Sequence, residues 1–579
     1  MLRRFREHDV RLTQDLTGIW DFAFLGDIDL NTADVVALKY DDCMAVPGCF
    51  DATPKYAGKR GLAAYRTTAL VYDDTPHRLI LDAVHHWCRV FVDGKALADH
   101  VGGFTRFYVD LPSSKPGGIE IVVLIDNRFN YDRCPLHLDY FDWYHFGGIA
   151  QSAELHRLGK LWIDAFRAIT TDFATRKVRI EIDYRMADAG SADDAPSQVE
   201  LSLTCDGYTV IDETIELTKT CGTLTREVEL TGAALWSPDD PNLHLLHAML
   251  DNGDHADDIY ERIGIRQVRV EGQQILINDE PVKLLGYCRH AAHPQFGHSL
   301  PSAIQIADVQ LLQDLGCNFV RGSHYPQDLR FLDLCDEAGL CVWNEAIGWQ
   351  HTAEHLTDPH FVQAQLAHIE EMVAMSANRP SVIMWGILNE SHSPDIACRP
   401  AYETLLGRLR QLDPTRPVTY ASNHPSDDLC FDLADIISIN TYPGWYWGEI
   451  EDIPALLDQI AHHLDVEGQP EGTTWAGKPL IISEIGAGAI PGWRDQNETR
   501  WSEQYQARLL ETVLKHLFVD RHRACGISLW QFCDCRSSEQ PRRVMGRPRG
   551  FNNKGIVDEY RRPKMAYKVV KRYFTEIIE

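Results

Sequence analysis

From Pro281 onward, short apolar runs alternate with amphipathic stretches, and no other feature limits the fold as strongly. The runs are Val282–Leu285, Cys317–Val320, Leu340–Trp343, Val382–Leu388, Ile436–Ile439, Leu480–Ile482 and Gly526–Trp530. Helix-like segments such as Ile304–Leu315 and Phe361–Ala377 lie between them. Parallel strands need a crossover of a dozen or more residues, usually a helix, so this rhythm implies a parallel sheet with helices outside it. Repeated over about 300 residues, it suits a closed (β/α)8 barrel. Reacting groups in such a barrel sit just past the carboxyl ends of its strands.

The chain before this point reads as β structure. In the first 160 residues, runs such as Leu79-Ile80-Leu81 and Val90-Phe91-Val92 are separated by turn signals, among them Asp93-Gly94 and Gly102-Gly103. Residues 161–266 continue this way, with Val178–Tyr184 alternating apolar and polar side chains. The stretch Met186–Pro196, rich in Ala, Asp, Gly and Ser, is expected to be a loop. Two β-sandwiches, 1–160 and 161–266, followed by a barrel over 267–579, fit these lengths.

Charge narrows the partners. The 579 residues carry a net charge of -28, a surface that repels phosphate backbones and anionic membranes. Nucleic acid and membrane partners are therefore not expected. No apolar run reaches the 18 or so residues of a membrane span, and the basic start has no apolar segment behind it, so a cytoplasmic location is expected. The fifteen cysteines follow no disulfide framework and are expected to be reduced.

Two strand-like runs end in a glutamate. Val382–Leu388 leads into Asn389-Glu390, and Leu480–Ser483 leads into Glu484. A single such glutamate is ordinarily a helix cap or a surface charge. Two in one barrel, with aromatics nearby, point to paired carboxylates. In glycoside hydrolysis one carboxyl protonates the leaving oxygen while the other acts at the anomeric carbon, and a separation of about 5–5.5 Å gives retention.

These motifs resemble glycoside hydrolase family 2. Trp385-Gly-Ile-Leu-Asn-Glu390 is similar to its acid/base motif, and Ser483-Glu-Ile-Gly-Ala487 to its nucleophile motif. Leu16–Trp20, Val46-Pro-Gly48 and His100–Phe104 resemble its N-terminal sugar-binding jelly-roll sandwich. Leu235-Trp-Ser-Pro238 resembles the close of its immunoglobulin-like domain, and Leu284–His290 followed by Arg321–Pro326 its barrel start. The resemblance implies Glu390 as general acid/base, expected to have a raised pKa, and Glu484 as nucleophile. It further implies that Asn389 binds the sugar 2-hydroxyl, that Trp530 packs on the ring, and that His290 belongs to the substrate-binding set.

Which sugar is bound rests on a later segment. Asn552-Asn553-Lys554, within Arg549–Gly555, resembles the Asn-x-Lys motif of β-glucuronidases. An ammonium and an amide donor there would hold a uronate carboxylate. Asp142–Ile149 is similar to a segment whose leading Asp142 reaches the sugar, and Asn440–Tyr446 to one supplying Tyr442 against the nucleophile and Tyr446 against the sugar. Three places depart from the pattern: Ala291-Ala292 after His290, Arg379 in Asn378-Arg379-Pro380, and the pair Arg547 and Arg549 straddling one expected arginine.

The expected activity is retaining exo-hydrolysis of terminal β-D-glucuronides on a small carbohydrate or glycoconjugate, by a chain that could form a homo-oligomer. A β-galacturonidase, a β-galactosidase or a β-galactofuranosidase-type enzyme stays open, as does a catalytically silent carbohydrate-binding protein. No cofactor or metal is implied. His85-His86 and His462-His463 read as surface pairs rather than metal ligands. Gly348–Glu354 is expected on the aglycone side.

Overall fold

The computed structural model describes residues 3–111, 116–129, 142–187, 197–467, 475–537 and 546–578. From residue 188 onward, the loop expected at Met186–Pro196 lies outside them. The N-terminal part is a sandwich of a six-stranded and a four-stranded antiparallel sheet. Its central strand, Gly117–Asp126, lies between Leu62–Val71 and Trp87–Val92. Ile121, Val123 and Ile125 enter the core between the sheets, while Val122 and Leu124 pack on the other face with Leu30 and Trp87. Burial on both faces explains why this strand is a continuous apolar run.

A second sandwich follows. Leu161–Asp172, Lys177–Met186 and Cys221–Glu229 form one sheet; Ser197–Cys205, Tyr208–Leu217, His244–Asp251 and Ala256–Ile263 form the other. Val178, Ile180, Ile182 and Tyr184 point into the core, as their alternation requires.

Eight parallel strands then close a barrel: Leu284–Cys288, Phe319–Gly322, Cys341–Glu345, Val382–Ile387, Val418–Ser422, Ile437–Asn440, Leu480–Ile485 and Gly526–Leu529. The first pairs with the last, Leu284 opposite Gly526. Helices Ser302–Asp314 and Pro359–Ser376 occupy the expected amphipathic stretches. The fifth strand is not among the apolar runs of the sequence. Its Thr419 is buried and bonds Ser438 Oγ at 2.8 Å, so polar residues interrupt the signal. A meander, Val268–Glu271, Gln274–Ile277 and Glu280–Val282, packs Val268, Ile275 and Ile277 against Leu284, Phe319 and Ile481, plugging the amino-terminal mouth.

Buried charge ties the units together. Arg379, fully buried, bonds Asp333 in the barrel at 2.8 Å and Glu261 in the second sandwich. Arg3 meets Asp333 from the N-terminal segment, also at 2.8 Å. The departure at residue 379 therefore has a structural role: a guanidinium spans two acids from different units. His85 and His86, expected at the surface, are instead 1% exposed. His85 packs on Phe104 and on His298 of the barrel, and Phe104 stacks on Tyr325 at 4.1 Å. Burial in this seam holds both imidazoles well below the usual histidine pKa and hence neutral. His462 remains exposed.

Removing one partner of a buried ion pair strands the other charge, at a cost of about 3 kcal/mol. Arg379→Met should lower the denaturant midpoint accordingly. A midpoint equal to the parent protein's would show that Arg3 alone neutralises Asp333.

Candidate active site

At the carboxyl mouth of the barrel, side chains of the third, fourth and seventh strands converge on one guanidinium from the second. Arg321, ending the second strand's apolar run, is fully buried over the Trp343 ring. Its Nε and one terminal nitrogen donate to Glu345 of the third strand at 2.9 and 3.0 Å. That terminal nitrogen also donates to Asn389 Oδ1 at 2.8 Å, and the other donates to Glu484 Oε1 at 2.8 Å. The second Glu484 oxygen accepts from the Tyr442 hydroxyl at 2.6 Å. Both oxygens of Glu484 are thus held by direct donors.

Glu390 is reached by a sharp exit from the fourth strand. Leu388 and Glu390 both adopt positive φ, +45° and +49°, a region rarely used by non-glycine residues. Gly386 makes room beneath: a Cβ there would lie 1.9 Å from Trp343 Nε1. Asn440 donates to Glu390 Oε1 at 3.0 Å, and Gln350 donates to Oε2 at 3.1 Å. Asn440 also donates to Asn389 Oδ1 at 3.0 Å and accepts from Ser483 at 2.7 Å, joining the two glutamate-bearing strands. The Asn389 side-chain amide nitrogen is buried and has no hydrogen-bond partner among the described residues.

Glu484 is 3% exposed, whereas Glu390 is half-buried. Burial pushes the Glu484 carboxyl up to about 8; Arg321 and the Tyr442 hydroxyl oppose this, and the charge of Glu390 adds to it. Glu345 rises to about 7, again by burial.

A cavity of about 230 Å³ opens between the two glutamates and the first sandwich. Of the residues singled out from sequence, Asp142, Glu390, Tyr442, Tyr446, Glu484, Trp530 and Lys554 line it. Asp142 comes from the N-terminal sandwich and accepts from Arg547 at 2.5 Å and from Asn552 at 2.8 Å. Lys554, 4% exposed, donates to the Tyr446 hydroxyl at 2.9 Å and forms no ion pair with any described residue. The two straddling arginines are now distinguished: Arg547 lines the cavity, while Arg549 pairs with Glu559. Asn389, His290 and Asn552 stand behind the walls. The His290 ring stacks on Trp143 at 5.1 Å and meets the edge of Trp530.

Sequence reasoning passed over Arg321, His324, Glu345 and Asn440 as functional groups, and the cavity-lining Trp143; Trp349 and Gln350, also on the cavity, lie in the Gly348–Glu354 segment expected on the aglycone side. For Arg321, Glu345 and Asn440 a signal existed: each polar side chain ends an apolar run, as the two glutamates do. Among the described residues, Cys205, Asp206 and His244 could together hold a metal ion, but they lie on the second sandwich, outside this cavity. A larger cavity of about 840 Å³ lies there too and shares no residue with the paired carboxylates.

Comparisons with known proteins agree with this architecture. Residues 268–578 match the family model of the glycosyl hydrolases family 2 TIM barrel domain, and 166–266 match that of glycosyl hydrolases family 2. A β-glucuronidase of Paenibacillus borealis is 28% identical, the match covering 98% of each chain. A rat β-glucuronidase is 29% identical over 92% of this chain and 85% of its own. The solved structure of an Eisenbergiella tayi β-galacturonidase bound to galacturonate is 34% identical, with a TM-score of 0.90, over 100% of this chain and 99% of that one. A Dictyoglomus thermophilum β-D-glucuronidase structure is 26% identical, with a TM-score of 0.83, over 99% and 98%. With the barrel match alone spanning more than half of its residues, the chain belongs to glycosyl hydrolase family 2 and is a glycoside hydrolase.

Proposed function

We propose that this chain is a retaining, exo-acting β-D-hexuronidase that removes a terminal uronic acid. The observation that carries this reading is Lys554, a buried ammonium with no described carboxylate partner on the wall of a one-ring cavity. A buried cation without a counterion is costly unless the ligand supplies one. A C6 carboxylate does so, and a neutral sugar does not. Arg547 lies on the same cavity, paired with Asp142.

In the proposed reaction a Glu484 oxygen attacks the anomeric carbon while Glu390 gives its proton to the departing glycosidic oxygen. Water, deprotonated by Glu390, then attacks the same carbon and releases Glu484, so two inversions give retention. Arg321 and Tyr442 hold Glu484 in line, and the Asn389 amide nitrogen is left over for the sugar 2-hydroxyl. Between the two C4 epimers, galacturonide is favoured by the 34% identity and TM-score of 0.90 to the E. tayi enzyme. Glucuronide is the second reading, supported by curated relatives at 28–29%.

Glu484→Ala should abolish turnover of nitrophenyl β-D-uronides, and a 2-fluoro glycosyl fluoride should label Glu484 in the parent enzyme. Label on another residue would refute the assignment. Lys554→Ala should lower kcat/KM on uronides by at least about a hundredfold, in keeping with loss of a charge-assisted pair at 1.4 kcal/mol per tenfold. Equal loss on the neutral-sugar counterpart would count against the carboxylate clamp. On a nitrophenyl panel, galacturonide should exceed glucuronide by about tenfold or more; the reverse order selects the second reading.

The pH dependence has a definite sign. The attacking carboxyl must be ionised, so kcat/KM falls as pH drops through the Glu484 pKa of about 8. The Tyr442 hydroxyl lowers that pKa, so Tyr442→Phe should move the acid limb to higher pH. A shift to lower pH would contradict the assignment.

A further inference from the structure

A second hollow of about 520 Å³ adjoins the uronate cavity, and Gln350 and Glu390 line both. It lies past the third, fourth and fifth barrel strands, opposite Lys554 and Arg547. Glu390, the proposed proton donor to the glycosidic oxygen, therefore stands at the junction, and the group beyond that oxygen must extend into this hollow. We propose that the hollow is a leaving-group subsite for a neutral sugar, so that the natural substrate is a uronic acid joined to a neutral glycose. The proposal rests on the uronidase reading of the adjoining cavity.

The lining chemistry selects this class. Thr352, Glu354, His392 and Asn423 are exposed in the hollow, and His424 is half-buried beside His392, their rings edge to face at 6.2 Å. Among its described lining residues there is no Phe, Trp, Tyr, Leu, Ile, Val or Met. Sites for apolar, drug-like groups are built mainly from such side chains. A polyhydroxy ring instead matches hydroxyl, imidazole, amide and carboxylate partners, each able to exchange a hydrogen bond. No Lys or Arg is among those described lining residues either, and Glu354 adds a carboxylate that carries charge while Glu390 holds its proton. A second uronic acid would meet repulsion there.

The two ends of the cleft thus differ in the cations they offer. The sugar end has the buried Lys554 ammonium for an anionic ring, and the described lining of the leaving-group end has Glu354 and no Lys or Arg. Backbone hydrogen bonds join the loops at this border. Gln350 at φ +52° donates its amide N–H to Asn389 O at 2.8 Å, and the His392 amide donates to His351 O at 2.8 Å.

The test compares kcat/KM for four β-uronides with leaving groups of similar acidity: methyl, cyclohexylmethyl, a neutral hexose and a second uronic acid. The neutral disaccharide should exceed the methyl uronide by about tenfold or more, cyclohexylmethyl should stay near methyl, and the diuronide should fall below it. In Asn423→Ala and His392→Ala the disaccharide-to-methyl ratio should drop severalfold. A cyclohexylmethyl or diuronide rate equal to that of the neutral disaccharide overturns the inference, and so does an unchanged ratio in both variants. Absence of turnover on all four, methyl included, overturns the uronidase reading instead.

Discussion

The Arg321 guanidinium sets the frame of the site. It is fully buried between Glu345 and Glu484 and also bonds Asn389, so one planar group fixes side chains from the third, fourth and seventh strands. A lysine could not do this, because a point charge lacks the forked donors. One cation between two buried carboxylates leaves the local charge negative, and burial raises both acids, Glu345 to about 7 and Glu484 to about 8. The site thus holds its attacking carboxyl in place while making its ionisation costly.

Around that frame the cleft has a direction. Lys554 stands at one end and Glu354 at the other, with Glu390 at the junction between them. The overall charge of -28 predicts neither end. Bulk charge disfavours polyanions as partners, whereas a single carboxylate responds to a desolvated ammonium a few ångströms away. The N-terminal sandwich is part of this cleft. Its Asp142 pairs with Arg547 and Asn552, and its Trp143 backs onto His290. The barrel alone would lack that wall.

Much of the fold was legible because periodicity reports burial. The runs at Val382–Leu388 and Leu480–Ile482 became strands, and the glutamates after them stand at the carboxyl mouth, where barrel geometry sends them. Val418–Ser422 escaped notice because its inner face carries Thr419, whose hydrogen bond to Ser438 satisfies it inside the barrel. His85 and His86 looked like surface residues for a related reason: polar side chains can be buried where another unit covers them, and no local pattern records that cover.

By itself, the sequence determined the barrel, the two glutamates at strand ends and a lysine matching a uronate motif, since each is written in local order and residue type. Only the tertiary structure decided how these groups act. It chose Arg547 over Arg549 for the cavity, gave Arg321 to Glu484, and raised the Glu484 carboxyl by burying it. It also opened a hollow beyond Glu390, lined by side chains from the loops after the third, fourth and fifth strands. The reason is physical: distance, desolvation and competition for a shared donor are properties of side chains brought together from far apart in the chain. Arg321 and Glu484, 163 positions apart, acquire their chemistry only at 2.8 Å.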